Sequence, residues 1–179
     1  MSILESRFTP PRDDCPHPEW WTSLDDESTE VEVSELVAGF VRALQPELVV
    51  ESGAAFGQTS SMIGRALSAN GHGRLASYET DEERRELAAE RCAGLPVQII
   101  LGEFGAPFPD GIGFAWIDGH ITRRVHDLYA VRTALARGAV VGVHDSGPQH
   151  GIRDEVEGVR WVRWINLPTP RGVLFGEVL

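Results

Sequence analysis

Hydrophobic positions along this chain change period several times. Val33, Leu36, Val37, Phe40, Val41 and Leu44 recur at three- and four-residue steps, which places them on one face of a helix. Thr29 and Glu32 stand ahead of that stripe in a capping-box pattern, and Pro46 stops it. The uninterrupted apolar run over 48–50 then predicts a buried strand, and 59–69 predicts a second helix ended by the Asn70-Gly71 turn signal. A second strand follows over 75–78. Thr80 with Glu83 repeats the capping-box pattern before a helix that turns Leu87, Ala88 and Cys92 inward, and 97–101 reads as a third strand.

Residues 102–113, GEFGAPFPDGIG, are too rich in Gly and Pro and too few for a helix of ordinary length, so a reduced crossover is expected there. A fourth strand over 114–117 leads into a longer helix whose buried stripe is Ile121, Val125, Leu128, Val131 and Leu135, ended by Gly138. The run AVVGV over 139–143 is a fifth buried strand. Two more strands, at about 159–166 and 172–178, flank a Pro-Thr-Pro-Arg turn and can form a hairpin. Alternating strands and helices in this order require a parallel sheet with right-handed crossovers. Ligands on such sheets sit outside the carboxyl ends of the strands.

A chain of 179 residues, 42% hydrophobic and without internal repeats, fits one domain over 29–179 behind a loose leader over 1–28. Its 16 Lys and Arg against 27 Asp and Glu give a net charge of -11, which opposes a nucleic-acid partner and an anionic membrane surface. Cys15 and Cys92 form neither a disulfide framework nor a metal-spaced cluster, and the N-terminus lacks an export signal. A reducing, cytoplasmic location is the expectation.

The chemistry gathers at strand ends. In PELVVESGAAFGQ the first strand closes on Glu51 and runs into a loop with Gly53 and Gly57, where bare backbone can approach a ligand. A carboxylate at Glu51 would repel a phosphate and favour a cationic or hydroxyl-rich ligand. An ordinary strand-to-helix turn would also use these glycines. The other strands close on Glu79, Gly102-Glu103, Asp118-Gly119-His120 and His144-Asp145. Helix capping accounts for an acid such as Glu79, but not for two histidines beside two aspartates on neighbouring strands. The spacing G-A-A-F-G-Q-T from Gly53 lacks the G-x-G-x-x-G that a dinucleotide pyrophosphate needs.

In order, ESGAAFGQTS, SYETDEE, ILGEF, FAWIDGH and GAVVGVHD resemble the motifs of class I S-adenosylmethionine-dependent methyltransferases, in particular a small bacterial branch with an IDGxH element and a terminal HD. The resemblance covers about residues 30–179. It implies an α/β fold: a Rossmann-like, seven-stranded, mostly parallel sheet with helices on both faces and the last strand antiparallel. It implies S-adenosylmethionine as cofactor, with Glu51, Gly53, Ala55, Gly57, Glu79 and Asp118 around it, Glu79 holding the ribose hydroxyls. Ser52, Ala55 and Arg137-Gly138-Ala139 depart from the family pattern, and the first two bear on the shape of the loop.

Methyl transfer from a sulfonium needs positioning and, for a hydroxyl acceptor, a base. His120 and His144 are the candidates, with Asp118 as a catalytic partner, and Asp118 with Asp145 could share Mg2+. A small-molecule acceptor, most naturally methylated at oxygen, is expected because no separate recognition domain is present, and a homo-oligomer is compatible with this reading. The competing reading is a non-catalytic accessory protein that binds S-adenosylmethionine or a nucleoside.

Overall fold

Seven strands form one sheet in the order β3-β2-β1-β4-β5-β7-β6, where β1 is Leu48–Ser52, β2 Arg74–Glu79, β3 Val97–Leu101, β4 Ile112–Ile117, β5 Leu135–His144, β6 Val162–Leu167 and β7 Val173–Val178. The computed structural model describes residues 11–105 and 107–179. Residues 1–10 of the expected leader and Ala106 of the expected crossover lie outside the described residues. Strands β1 to β5 pair in parallel, and β7 runs antiparallel to both β5 and β6, so the expected terminal hairpin forms.

Helices α1 (Val31–Leu44), α2 (Gln58–Asn70), α3 (Glu82–Arg91), α4 (Arg124–Val131) and α5 (Arg153–Glu157) cover the two faces. Val33, Val37 and Val41 of α1 and Ile63 and Leu67 of α2 pack on Val49, Phe114, Trp116 and Phe175. Leu128 and Val131 of α4 and Val156 of α5 pack on Val50, Ala115, Ile117, Val141 and Val143. Consecutive residues of β1 and β4 thus feed opposite cores, which is why the central strands read as unbroken apolar runs.

Three boundaries differ from the sequence expectations. Neither capping box forms: Glu30 is the N-cap of α1 and makes no side-chain cap bond, while Thr29 donates to Asp118 instead. Asp81, not Thr80, caps α3, accepting from the Arg84 N–H at 2.9 Å. The helix expected up to Leu135 ends at Val131 and a short 3-10 turn, and Leu135 already pairs with Ile112 as part of β5. Sheet pairing there outweighs the helical spacing of the apolar residues.

Leader residues 11–28 lie against the domain. Arg12 and Cys15 are buried, the Arg12 N–H donates to the Pro170 carbonyl at 2.7 Å, and Trp21 packs beside the α1 core, while Trp20 is 72% exposed. Among the described residues, no helix is long and apolar enough to cross a membrane.

Candidate active site

Strand order reverses between β1 and β4, and the loops leaving these two strands part there to open a crevice. A cavity of about 590 Å³ opens at these carboxyl ends, within the size range of small-molecule sites. One wall is the loop after β1. Gly53 has φ 85° and lies so close to the exit of β4 that a methyl group on it would sit 2.6 Å from the Asp118 carbonyl oxygen. Ala55 adopts φ 45°, a left-handed conformation that costs an alanine about 1–2 kcal/mol. Its N–H is tied to Glu79 Oε2 at 2.8 Å. Glu79 Oε1 accepts from the N–H groups of Thr80 at 2.8 Å and Asp81 at 3.0 Å. A carboxylate offers about four lone-pair positions, so Glu79 retains capacity for a ligand hydroxyl.

Of the residues expected from the sequence, Gly53, Ala55, Glu79, Asp118 and His120 line this cavity, whereas Glu51, Gly57, His144 and Asp145 do not. The period of two along a strand accounts for Glu51. It shares the face of Val49 and points at α2, where Ser60 of α2 and Ser77 of β2 donate to its Oε2, while Ser52 faces α4 and donates to Asp127 at 2.6 Å. Burial pushes the Glu51 carboxyl up to about 7, against the pull of those two hydroxyls. Gly57 serves packing: a Cβ there would meet Ala88 of α3 at 2.8 Å.

His144 is fully buried between two carboxylates, with Nε2 2.6 Å from Glu30 Oε2 and Nδ1 2.9 Å from Asp118 Oδ1. Both ring nitrogens face acceptors, so the bound form is the imidazolium. Burial alone would lower the pKa, but Asp118, Asp145 and Glu30 outweigh it and raise it to about 9. The neutral-imidazole base expected at this position is therefore not what the surroundings favour. Arg124 Nη2 contacts Asp118 Oδ1 at 2.9 Å and Asp145 Oδ2 at 2.7 Å, and Arg171 grips Asp145 with Nε at 2.6 Å and Nη2 at 2.9 Å. Both carboxyls are held below the ordinary range against the cost of burial, Asp118 by His144 and then Arg124, Asp145 by Arg124 and then His144.

Asp118, His144 and Asp145 bring potential ligand atoms within 4.8 Å of one another. They do not fit a divalent cation: the histidine has no free lone pair, and the carboxylates are already engaged by two guanidiniums. This arrangement speaks against the Mg2+ expected at Asp118 and Asp145.

His120, at the cavity rim, is exposed and directly follows Gly119 at the exit of β4. Around the mouth, Arg84 pairs with Glu27 at 2.7 Å and Arg123 with Glu103 at 3.3 Å. Sequence reasoning missed Thr29, Glu30, Ser52, Arg124, Asp127 and Arg171. Asp127 and Arg124 follow the IDGH element on α4, which offered a signal; Glu30 and Arg171 come from opposite ends of the chain and offered none.

The sequence matches the family described as "Methyltransferase domain" over residues 50–146. No curated protein matches it. Among solved structures, the chain is similar to the O-methyltransferase TomG from Streptomyces achromogenes, involved in tomaymycin synthesis and solved in complex with SAM. That match has a TM-score of 0.72 and 20% identity and covers 86% of this chain and 82% of that one. A putative O-methyltransferase from Klebsiella pneumoniae gives a TM-score of 0.73 and 18% identity over 84% of this chain and 81% of that one. The O-methyltransferase from Bacillus cereus, in complex with SAH, gives 0.73 and 16% over 87% and 84%.

Proposed function

Because the chain belongs to the methyltransferase-domain family, we propose that it moves the methyl group of S-adenosylmethionine onto a hydroxyl oxygen of a small-molecule acceptor, with His120 as the base. The observation that carries this reading is the carboxylate of Glu79, fixed by three backbone N–H groups at the rim of the cavity with acceptor capacity to spare for the ribose hydroxyls.

The residues present fit such a cofactor. Gln58, in the cavity wall, is buried and donates through Nε2 to the Thr29 carbonyl at 2.8 Å and to Ser34 Oγ at 3.2 Å. A carbonyl can only accept, so this bond fixes which way the amide points. Gln58 Oε1 is left as a buried acceptor without a protein partner, and a ligand N–H or O–H would satisfy it. Gly53 lets the β1 loop close against the exit of β4, which shapes the cavity wall, and Tyr78 and Phe104, with ring centroids 5.3 Å apart, supply an apolar wall.

When bound, the sulfonium supplies an electrophilic methyl group. The chain's own part is to hold the acceptor oxygen in line and to take its proton. With His120 Nδ1–H donating to the Thr122 hydroxyl oxygen at 2.9 Å, the Nε2 lone pair is left for that proton; this tautomer gives up the longer 3.4 Å bond from the Thr122 N–H. Asp118, bound to Thr29, Arg124 and His144, keeps the β4 exit and the segment before α1 in place beside it.

Calorimetry with S-adenosylhomocysteine tests the binding half. Each charge-assisted hydrogen bond is worth about 1.5–3 kcal/mol, so Glu79→Ala should weaken affinity at least about tenfold. Folded wild-type protein that gives no heat overturns the reading. Methyl transfer from radiolabelled S-adenosylmethionine to a panel of phenols and alcohols tests the rest, with His120→Gln expected to lower kcat about 100-fold or more. Turnover indifferent to that change removes His120 as the base.

A further inference from the structure

We infer that Arg124 and Arg171 occupy the place of a divalent cation at the β4 and β5 exits, so that methyl transfer at this site is metal-independent and engages its acceptor through a single hydroxyl. The inference rests on the methyl-transfer reading for its reaction, but its central measurement needs neither cofactor nor acceptor, so the two can fail separately.

One nitrogen decides the geometry. Arg124 Nη2 lies 2.9 Å from Asp118 Oδ1 and 2.7 Å from Asp145 Oδ2, bridging the two carboxylates where a shared ion would bridge them. The guanidinium cannot simply swing out. Its Nε donates to the Gly119 carbonyl at 3.0 Å, its Nη1 donates to the His144 carbonyl, and its side chain is 4% exposed. Arg171 holds both oxygens of Asp145, and its Nη1 donates to the Ser28 carbonyl at 3.2 Å.

Charge leads to the same conclusion. Three carboxylates, the buried Glu30 and Asp145 and the half-buried Asp118, face two guanidiniums and a histidine with a carboxylate at each ring nitrogen. Guanidinium does not give up its proton in proteins, so a dication could enter only by expelling an arginine from a buried position. Mg2+ also demands a near-octahedral oxygen shell, and these carboxylate oxygens already accept from the two guanidiniums, the His144 ring and the Thr29 hydroxyl.

The substrate consequence concerns chelation. A metal rewards an acceptor that offers two adjacent oxygens. Arginine, a donor with no coordination shell to fill and most of its N–H groups held by protein acceptors, does not. A monohydroxylated acceptor should therefore be methylated as readily as the matching vicinal diol, with and without EDTA.

The test is Mn2+ binding by electron paramagnetic resonance on the full chain near neutral pH. No stoichiometric uptake at millimolar Mn2+ is expected. Uptake of one ion per chain that Asp145→Asn abolishes overturns the inference, whereas uptake that Asp145→Asn leaves intact lies elsewhere and leaves it standing. Arg124→Met supplies a second measurement by thermal unfolding: the melting point should fall and recover with Mn2+, while the wild type ignores the ion. An Arg124→Met protein as stable as wild type and indifferent to Mn2+ also overturns it, and if that variant does not fold, the wild-type Mn2+ measurement decides.

Discussion

Raising the pH from about 7.5 to about 9 should destabilise this protein through one side chain. His144 is protonated between Glu30 and Asp118, and its pKa stands at about 9 against an ordinary 6.5. A folded-state pKa above the unfolded one contributes stability that is fully present below pH 6.5 and is lost as pH rises through 9. At about 1.4 kcal/mol for each pH unit, the rise makes the imidazolium worth about 3 kcal/mol, of which roughly half is lost between about pH 7.5 and 9. That is a large part of the 5–15 kcal/mol typical of a domain. Urea unfolding followed by tryptophan fluorescence at the two pH values measures it. His144→Gln, which removes the titrating group, should lose about 3–5 kcal/mol near neutral pH and lack this pH slope. A wild-type stability that is flat from pH 7.5 to 9 would falsify the imidazolium assignment.

Three further outcomes follow from particular contacts. Glu51 has its folded pKa raised from 4.5 to about 7, mainly by burial, so its stabilising protonated form is lost as pH rises through 7. Glu51→Gln should match wild type near pH 4.5 and exceed it by up to about 3 kcal/mol near pH 8, read by denaturant titration. Gly53→Ala forces an alanine into φ 85° against the Asp118 carbonyl, so it should cost at least about 1–3 kcal/mol in thermal unfolding and abolish S-adenosylhomocysteine binding. Glu27→Gln removes a mouth ion pair whose side chains are 39% and 48% exposed; such a pair is worth roughly 0–1 kcal/mol, and a loss well above that in chemical denaturation would show that the pair does more than meet solvent.

Much of the fold was legible because local patterns and tertiary packing agree. The apolar runs of β1 and β4 are continuous because each strand feeds two cores, and the glycine loop and the polar strand ends mark where the crevice opens. Where local and tertiary demands conflict, tertiary contacts decide. Thr29 has the spacing of a helix cap yet donates to Asp118, and Leu135 has helical spacing yet joins β5.

The linear pattern determined the strand order along the chain, the β1 loop, and the positions of Glu79, Asp118 and His120 at strand ends, since each depends on a period or a turn residue readable within a few positions. Only the tertiary structure decided which acids face the cavity and which histidine is free. Turning one residue along β1 moves a side chain to the opposite face, so Glu51 is buried against α2 while Ser52 meets α4. His144 is locked by Glu30, 114 positions earlier, and Asp145 by Arg171, 26 positions later. Charges that far apart in sequence meet only because the sheet places β4, β5 and β7 side by side and the start of α1 lies against their ends.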